Sequence, residues 1–164
     1  MIHNPEKIKK KIITAEKFVL IRKTLKKGNV VVFTNGCFDL LHRGHIDYLS
    51  RAADLGDRLV VGINTDDSLR RLKGKGRPYN DEQSRAMILA SMFFVDNVIL
   101  FDEDTPYELI KKVKPNILVK GDDYRAEDIV GYDIVVANGG SVKTLPYLQG
   151  YSTTAIEQKI RTEG

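Results

Sequence analysis

The chain has 164 residues, about the size of one domain, and its hydrophobic (42%) and charged (29%) fractions are ordinary for a globular protein. Every apolar run is shorter than the roughly 18 residues that a membrane span needs, and the N-terminus lacks the apolar core of a signal peptide. The single cysteine, Cys37, excludes an internal disulfide and fits a reducing compartment. We therefore expect one cytoplasmic domain over residues 1–164, with no membrane contact.

The net charge of +4 is unevenly distributed, because the basic residues are concentrated in residues 7–11, 22–27 and 70–77. The first two runs are typical of solvated helix faces. The third lies within residues 69–78, where glycines interrupt the cations, and it predicts a mobile loop that closes over polyphosphate. Aromatic residues do not interleave with these charges as they do in a stacking platform for nucleic acid, so we expect no nucleic-acid partner.

The hydrophobic pattern predicts alternating helices and strands in chain order. Residues 1–28 form a helical lead-in, whose helix at residues 14–27 stops at Gly28. The predicted strands lie at residues 30–34, 59–63, 97–101, 117–120 and 142–145. The predicted helices lie at residues 44–55, 81–94, 106–113 and 131–138, with a last helix that opens at Thr154.

Turn and cap residues set most of these boundaries. Asn80, with Gln83 three residues on, predicts the start of the helix at residues 81–94, and Thr105 is the predicted N-cap of the next helix. Residues 131–138 fit either a strand or a helix, and Asn138-Gly139, which resembles a helix C-cap, favours the helix. Strand–helix alternation of this kind predicts an α/β fold: a single Rossmann-like, doubly wound domain with a five-stranded parallel sheet, helices on both faces, and ligands at the carboxyl ends of the strands.

The most informative segment, residues 30–45, reads VVVFTNGCFDLLHRGH. A β-branched strand ends at the turn pair Asn35-Gly36, and helical spacing begins near the second histidine. Backbone N–H groups at a helix start are unpaired and carry partial positive charge, which suits phosphate. His42 and His45 are three residues apart and share one helix face, so both imidazoles can reach one ligand. Gly44 allows that ligand to approach the backbone closely.

Two other roles of the histidine pair stay open. Side chains at this spacing could ligate a metal, but a third ligand is hard to find, because His3 is the only other histidine. Either ring could also be a buried histidine that is bonded to the backbone. In this loop we favour phosphate binding, in which His42 and His45 donate hydrogen bonds to the oxygens of a reacting phosphate.

Other segments offer further polar groups, each with a plain structural alternative. The hydroxyls of residues 152–154 can cap the last helix and also grip phosphates. The acidic pair Asp122-Asp123 ends the fourth strand, where it can bind ribose or stabilise a turn. Three side chains are candidate cations for phosphate, although a solvated surface charge is an equal alternative for each; they are Lys73, Arg77 and Arg85.

Several segments together resemble the HxGH nucleotidyltransferase superfamily. The first is a glycine turn followed by Phe38-Asp39-Leu40-Leu41-His42-Arg43-Gly44-His45. The later ones are Arg77-Pro78 ahead of a helix with Glu82 and Arg85, then Val119-Lys120-Gly121-Asp122-Asp123, and then Gly150-Tyr151-Ser152-Thr153-Thr154. From about residue 29 to the C-terminus, their order and spacing look most like the adenylyltransferases of ADP-heptose synthesis, in a form without the kinase domain that often accompanies them.

The resemblance implies transfer of AMP from ATP to a sugar 1-phosphate, a heptose 1-phosphate, which gives ADP-heptose and pyrophosphate by direct in-line displacement. Mg²⁺ is expected to arrive with the polyphosphate and to be held mostly by phosphate and water, so we name no protein metal ligands. Asp39 is expected to orient the acceptor. The residues expected to act in catalysis are His42, His45 and Lys73. The residues expected to contact the nucleotide are Gly36, Cys37, Phe38, Gly44, Arg77, Arg85, Gly121, Asp122, Ser152, Thr153 and Thr154.

Two of these residues have equally plain roles in packing. Phe38 could be part of the core. Cys37 is better read as a small packed residue than as a nucleophile, because direct displacement needs no covalent intermediate.

The nearest alternative is a cytidylyltransferase that acts on glycerol 3-phosphate. Those enzymes carry Arg-Thr-Glu-Gly ahead of the hydroxyl run and end a helix with Arg-Tyr-Val-Asp, whereas this chain has residues 147–150 (YLQG) and 93–96 (FFVD) there. A cation is missing at both places, so we favour adenylyl transfer. A module that binds nucleotide without turnover is a second alternative. A homodimer is also expected, with residues 92–95 placed either at the interface or in the core.

Overall fold

The computed structural model describes residues 3–123 and 125–163. Its centre is a five-stranded parallel sheet with the strand order β3-β2-β1-β4-β5. The strands are β1 (Val31–Gly36), β2 (Arg58–Asn64), β3 (Asn97–Phe101), β4 (Ile117–Gly121) and β5 (Ser141–Leu145). All five predicted strands are therefore present, and the predicted α/β class with a parallel five-stranded sheet is confirmed.

Helices connect the strands in the way that a parallel sheet requires. They are α1 (Asn4–Lys9), α2 (Ala15–Thr24), α3 (Arg43–Ala53), α4 (Asp66–Lys73), α5 (Glu82–Ser91), α6 (Tyr107–Val113), α7 (Tyr132–Ala137) and α8 (Thr153–Glu163), with a short 3-10 helix at Ala126–Asp128. The ambiguous residues 131–138 form a helix, as predicted. Among the described residues, no helix combines the length and the apolar character needed to cross a bilayer.

The sheet is covered on both faces because its strands alternate their buried side chains. In β1, Val32 packs in the cluster that contains α3 and α5, whereas Val31 and Phe33 pack in the opposite cluster with α2, α6 and α7. Successive side chains of a strand point to opposite faces, so a continuous apolar run supplies both cores. The two layers of helices make the fold doubly wound, as predicted.

The order in which strands are added to the sheet reverses between β1 and β4, which are parallel, hydrogen-bonded neighbours in the middle of the sheet. The connection after β1 leads toward β2 on one side, whereas β4 leads toward β5 on the other. A crevice forms at such a switch point beyond the carboxyl ends of the two strands, and ligands of doubly wound sheets bind there. The loop after β1 and the loop after β4 therefore meet at one place.

Several predicted boundaries differ from the structure, and three of the differences have a clear local cause. Residues 69–73 belong to helix α4 instead of a mobile loop, because Thr65 caps that helix by accepting a hydrogen bond from the Ser68 N–H. Helix α5 is capped by Asp81, not by Asn80. Helix α6 has Pro106 at its N-cap position without a side-chain cap, so the predicted Thr105 cap is absent.

Residues 92–95, predicted to lie either at an interface or in the core, are divided between surface and interior. Val95 is fully buried, whereas Phe93 is 91% exposed and contacts the ring of Phe94 edge to face. The homodimer stays a prediction.

Candidate active site

Two cavities lie side by side at the carboxyl end of the sheet. The first, which we call the switch-point cavity, has a volume of about 300 Å³ and is lined by Asn35, Gly36, Cys37, Phe38, His45, Tyr48, Lys73, Lys120, Gly121, Asp123 and Tyr147. The second, which we call the hydroxyl cavity, has a volume of about 280 Å³ and is lined by His42, Gly44, His45, Tyr48, Tyr147, Leu148, Tyr151, Ser152 and Thr153. Most residues predicted for the site line one cavity or the other, and His45 lines both.

A larger cavity of about 960 Å³ lies elsewhere, beside β3 and the start of α2. It contains none of the residues predicted for the site. The predicted site residues that line one of these three cavities therefore lie in the two smaller ones, at the switch point.

The two histidines meet at the start of α3. His42 is the N-cap residue, and its ring stacks on that of His45 with centroids 3.8 Å apart and an interplanar angle of 29°. The backbone N–H of His42 donates to Nδ1 of His45 over 3.4 Å. Because Nδ1 accepts this hydrogen bond, the proton of a neutral His45 ring sits on Nε2 and can be donated to a ligand.

Burial favours the neutral form of both rings. Burial, aided by the charges of His42 and Lys73, lowers the pKa of His45 to about 4. Burial also lowers the pKa of His42. The Nδ1 atom of His42 is buried and has no hydrogen-bond partner among the described residues. An unpaired buried nitrogen is costly unless a ligand or water satisfies it.

Gly44 has a role in packing, and its predicted contact with a ligand stays a prediction. A Cβ atom at this position would lie 3.0 Å from His42 Nδ1 and 3.1 Å from the Cβ of Tyr151. The glycine therefore makes room for the His42 ring and for the segment before α8, and it also lines the hydroxyl cavity. Arg43 also packs against Tyr151, with its guanidinium 5.7 Å from the centroid of the Tyr151 ring.

The segment after β1 lies against the histidines. Phe38 has a left-handed backbone with φ 49°, is 7% exposed, and contacts His45 edge to face at 5.5 Å. It is thus both a core residue and a wall of the switch-point cavity. A Cβ atom at Gly36 would lie 3.0 Å from the Phe38 ring, which explains the glycine there. Cys37 is half-buried and its thiol contacts Asn64 Oδ1 at 3.8 Å.

The predicted hydroxyl run, residues 152–154, contributes both a helix cap and residues that line a cavity. Ser152 accepts a hydrogen bond from the Ala155 N–H at 3.0 Å, so it caps α8. Ser152 and Thr153 line the hydroxyl cavity beside His42, whereas Thr154 is exposed and lines neither cavity. The start of α8 therefore faces the same space as the first histidine.

Two of the three predicted cations are not free to bind a phosphate as the structure stands. Arg85 is fully buried and donates to Asn80 O, Cys37 O and Asn64 O at 2.8–3.0 Å and to Asp66 Oδ1 at 2.8 Å. Arg77 is bonded to the carboxylates of Asp39 and Glu157. Lys73, at the end of α4, is exposed and lines the switch-point cavity, and its role as a site cation stays a prediction.

Asp39, predicted to orient the acceptor, is instead bonded within the chain. The residue is only 4% exposed. Its carboxylate accepts hydrogen bonds from Arg77 Nη1 and from the backbone N–H groups of Tyr79 and Asn80, all at 2.9–3.0 Å. Burial raises the pKa of Asp39, but these hydrogen bonds outweigh it and the pKa lies below its usual value. Asp39 thus folds the segment after α4 against the site and lines neither cavity.

The end of β4 differs from the prediction by one residue. Asp123 lines the switch-point cavity, whereas the predicted Asp122 is exposed outside it. Gly121 does line the cavity, and a Cβ atom there would lie 2.1 Å from the Tyr147 ring. The glycine is therefore explained by the packing of that ring as well as by any ligand.

Sequence reasoning missed three residues of the site. Lys120 lines the switch-point cavity, and Tyr48 and Tyr147 line both cavities with their ring centroids 5.9 Å apart. Tyr48 lies three residues after His45 on the same face of α3, and its hydroxyl is 2.9 Å from Thr34 Oγ1. Burial raises the pKa of Tyr48 above its usual value. The sequence did contain a signal for Lys120, because a charged residue follows directly after the apolar run of β4.

Comparison with known proteins identifies the family of the chain. A family model described as Cytidylyltransferase-like matches residues 33–159. The chain is 53% identical over 148 residues to the bifunctional protein HldE of a Nitratiruptor species, covering 90% of this chain and 31% of that protein. It is 53% identical over 141 residues to HldE of Vibrio cholerae serotype O1, covering 86% of this chain and 30% of that protein. The chain thus spans about three tenths of the length of these relatives.

Solved structures show the same fold. The lipopolysaccharide core biosynthesis protein from Thermoplasma volcanium is 34% identical with a TM-score of 0.61, covering 76% of this chain and all of that chain. Pantoate-beta-alanine ligase from Francisella tularensis is 19% identical with a TM-score of 0.61 over 89% of this chain and 75% of that one, which extends the likeness of fold alone. With the family model covering most of its length, the chain belongs to the cytidylyltransferase-like family and is a nucleotidyltransferase.

Proposed function

We propose that the protein transfers AMP from ATP to a heptose 1-phosphate and releases pyrophosphate, which makes ADP-heptose. An oxygen of the sugar phosphate attacks the α-phosphorus, a new P–O bond forms, and the bond to the β-phosphate breaks as pyrophosphate leaves with the electron pair. The resemblance of the ordered motifs to heptose 1-phosphate adenylyltransferases supports the choice of substrates. The similarity to HldE proteins also supports a role in ADP-heptose synthesis.

One observation carries the proposal: His45 stands between two cavities that differ in chemistry. In-line displacement needs the attacking oxygen and the leaving group on opposite sides of the α-phosphorus. The hydroxyl cavity, with Ser152, Thr153 and the start of α8, suits the β- and γ-phosphates. The switch-point cavity, with its lysines, suits the attacking phosphate, and an α-phosphate at His45 would join the two.

The neutral imidazoles fit this reaction. The transition state gathers negative charge on the oxygens around the α-phosphorus, and fixed N–H donors stabilise that charge without moving a proton. Nε2–H of His45 is such a donor, since its Nδ1 accepts from the backbone of His42. We keep Gly36, Cys37, Phe38 and Gly121 as proposed contacts of the nucleotide; because they also line the switch-point cavity, that cavity would hold parts of both substrates.

Mg²⁺ would enter with ATP. Among the described residues, no group of three or more His, Cys, Asp and Glu side chains could hold a metal ion. We therefore propose phosphate oxygens and water as its ligands, which is usual for Mg²⁺ with nucleotides. The free, half-buried thiol of Cys37 suits a reducing compartment, and we propose the cytoplasm.

A substrate panel tests the proposal. The purified chain is incubated with Mg²⁺ and with ATP, CTP, GTP or UTP, each crossed with heptose 1-phosphate, mannose 1-phosphate, glucose 1-phosphate or glycerol 3-phosphate. Pyrophosphate release is recorded, and the product is identified by its mass. We expect release with ATP and heptose 1-phosphate together and none when the sugar phosphate is omitted.

Two results would overturn the proposal. Preferred turnover of CTP with glycerol 3-phosphate would assign the alternative cytidylyltransferase. Tight ATP binding with no pyrophosphate release for any acceptor would assign a nucleotide-binding module without turnover.

A further inference from the structure

Lys120 is a half-buried cation for which the described residues provide no carboxylate partner within 4.0 Å. It lies in β4 just before Gly121, and its ammonium donates to the backbone carbonyl of Asn35 at 3.2 Å. Within the described parts of the chain it belongs to no ion pair closer than 4.0 Å. Charged side chains are seldom buried without a partner, because removing an ammonium group from water is costly. Such a group is expected where a ligand supplies the missing anion.

The position of Lys120 says where that anion would lie. Its side chain lines the switch-point cavity together with Lys73 and His45. The cavity is at the carboxyl end of β4, next to β1, where the doubly wound sheet places its ligands. Asn35 contributes a second unsatisfied group there, because its Oδ1 atom is buried with no hydrogen-bond partner among the described residues. The cavity thus has polar groups ready for a ligand that the chain itself does not supply.

The proposed reaction places two phosphate groups at the site, and geometry separates them. The leaving pyrophosphate has its own hydroxyls and helix start in the hydroxyl cavity, on the far side of His45. The attacking phosphate must approach from the opposite side, which is the switch-point cavity. We propose that the ammonium of Lys120 binds the phosphate of the acceptor sugar phosphate and holds it for attack. This inference rests on the proposed function and adds the residue that recognises the second substrate.

The electrostatic surroundings of Lys120 support a ligand-dependent charge. Burial lowers the pKa of Lys120 to about 8, although Cys37 and Asp123 act to raise it. The other titratable groups around it are His45, Lys73, Tyr48 and Tyr147 across the switch-point cavity, and Asp128 beside a small apolar cavity behind it. A bound dianionic phosphate would favour the protonated ammonium. Above pH 8 the free enzyme loses this charge, so recognition of the acceptor should weaken.

The test uses the full chain with Lys120→Met, which keeps the length of the side chain but removes its charge. The control is Lys143→Met, because Lys143 is an exposed lysine on the neighbouring strand β5. Initial rates give KM for the sugar phosphate and for ATP, and equilibrium titration gives the affinity for ATP alone. We expect Lys120→Met to raise KM for the sugar phosphate at least about tenfold, the loss typical of one hydrogen bond to a charged group. KM and affinity for ATP should stay within about twofold.

Two further measurements separate binding from a structural role. The thermal midpoint of Lys120→Met should not fall, since a buried ammonium without a carboxylate partner does not stabilise the fold. In the wild-type chain, kcat/KM for the sugar phosphate should decrease as pH rises through about 8, while kcat/KM for ATP does not. The pH profile needs no variant and therefore stands even if Lys120→Met does not fold.

Three outcomes would overturn the inference. An unchanged KM for the sugar phosphate in an active Lys120→Met would show that the ammonium does not bind the acceptor. A matching loss of ATP affinity would assign the ammonium to the nucleotide. A flat wild-type profile from about pH 7 to about pH 9.5, which spans the pKa of the ammonium, would remove the charge argument. All three are distinct from failure of the proposed function, in which the wild-type chain itself does not release pyrophosphate.

Discussion

At the residue scale, Arg85 holds the ends of two strands and the start of a helix together. Its guanidinium bonds to the carbonyl oxygens of Cys37 after β1 and Asn64 at the end of β2, and to the carboxylate of Asp66 in α4. Of these partners, Cys37 lines the switch-point cavity. Arg85 therefore fixes the backbone of one residue of the cavity wall, and its charge is already neutralised by Asp66.

We predict that Arg85→Met destabilises the fold by about 3–5 kcal/mol, because it leaves a carboxylate and three carbonyls without their donor. The control is Arg70→Met, which removes an exposed pair with Asp67 and should cost about 0–1 kcal/mol. Urea denaturation measures both free energies of unfolding. Equal losses in the two variants would contradict the structural role of Arg85 and reopen its role as a phosphate ligand.

At the scale of elements, the strands were predictable and the helix starts were only partly so. The apolar runs of the five strands are local signals, and each predicted strand is present within one or two residues of its bounds. Helix starts depend on which of several polar residues becomes the cap. Asn80 has the right chemistry, but its backbone and side chain bond to Asp39, 41 residues away, and Asp81 caps α5 instead. Such long-range competition is invisible in local sequence.

The turn between α3 and β2 gives the sharpest prediction at this scale. A Cβ atom at Gly56 would lie 2.7 Å from the carbonyl oxygen of Val30 and 2.7 Å from Cγ2 of Val32. The backbone of β1 cannot give way easily, so Gly56→Ala should destabilise by about 1–3 kcal/mol, as overpacking does. Gly76→Ala is the matched control, because nothing lies within 4 Å of its Cβ position. Chemical denaturation of both variants measures the difference, and equal stabilities would refute the packing at Gly56.

At the scale of the whole molecule, the site forms where distant segments meet. The histidine pair, Lys73 and Ser152-Thr153 were all named from sequence, and the fold brings them to two adjoining cavities. Asp39 and Arg77 were named too, but their side chains form an ion pair with each other. Lys120 was passed over although it ends the apolar run of β4, and the sheet order adds that this end lies beside the loop after β1. Motifs thus locate a site, whereas the pairing of its charges needs the fold.

The proposed placement of the leaving and attacking phosphates in the two cavities predicts how the histidines contribute to catalysis. A donor that acts mainly on the charge developed in the transition state should affect turnover far more than binding. His42 and His45 form one stacked unit at the junction of the cavities. Loss of either ring should therefore affect the chemical step, while the hydroxyls at α8 continue to hold the triphosphate.

The most direct measurement is kcat together with the equilibrium affinity for ATP in His42→Ala, with His3→Ala as a control outside both cavities. We predict that kcat of His42→Ala falls by about 10²-fold to 10³-fold, as for removal of one transition-state donor, while ATP affinity changes by less than about threefold. The control should match the wild-type chain in both quantities. Equal losses of kcat and ATP affinity in His42→Ala would show that the ring only binds the nucleotide, and would contradict the central claim.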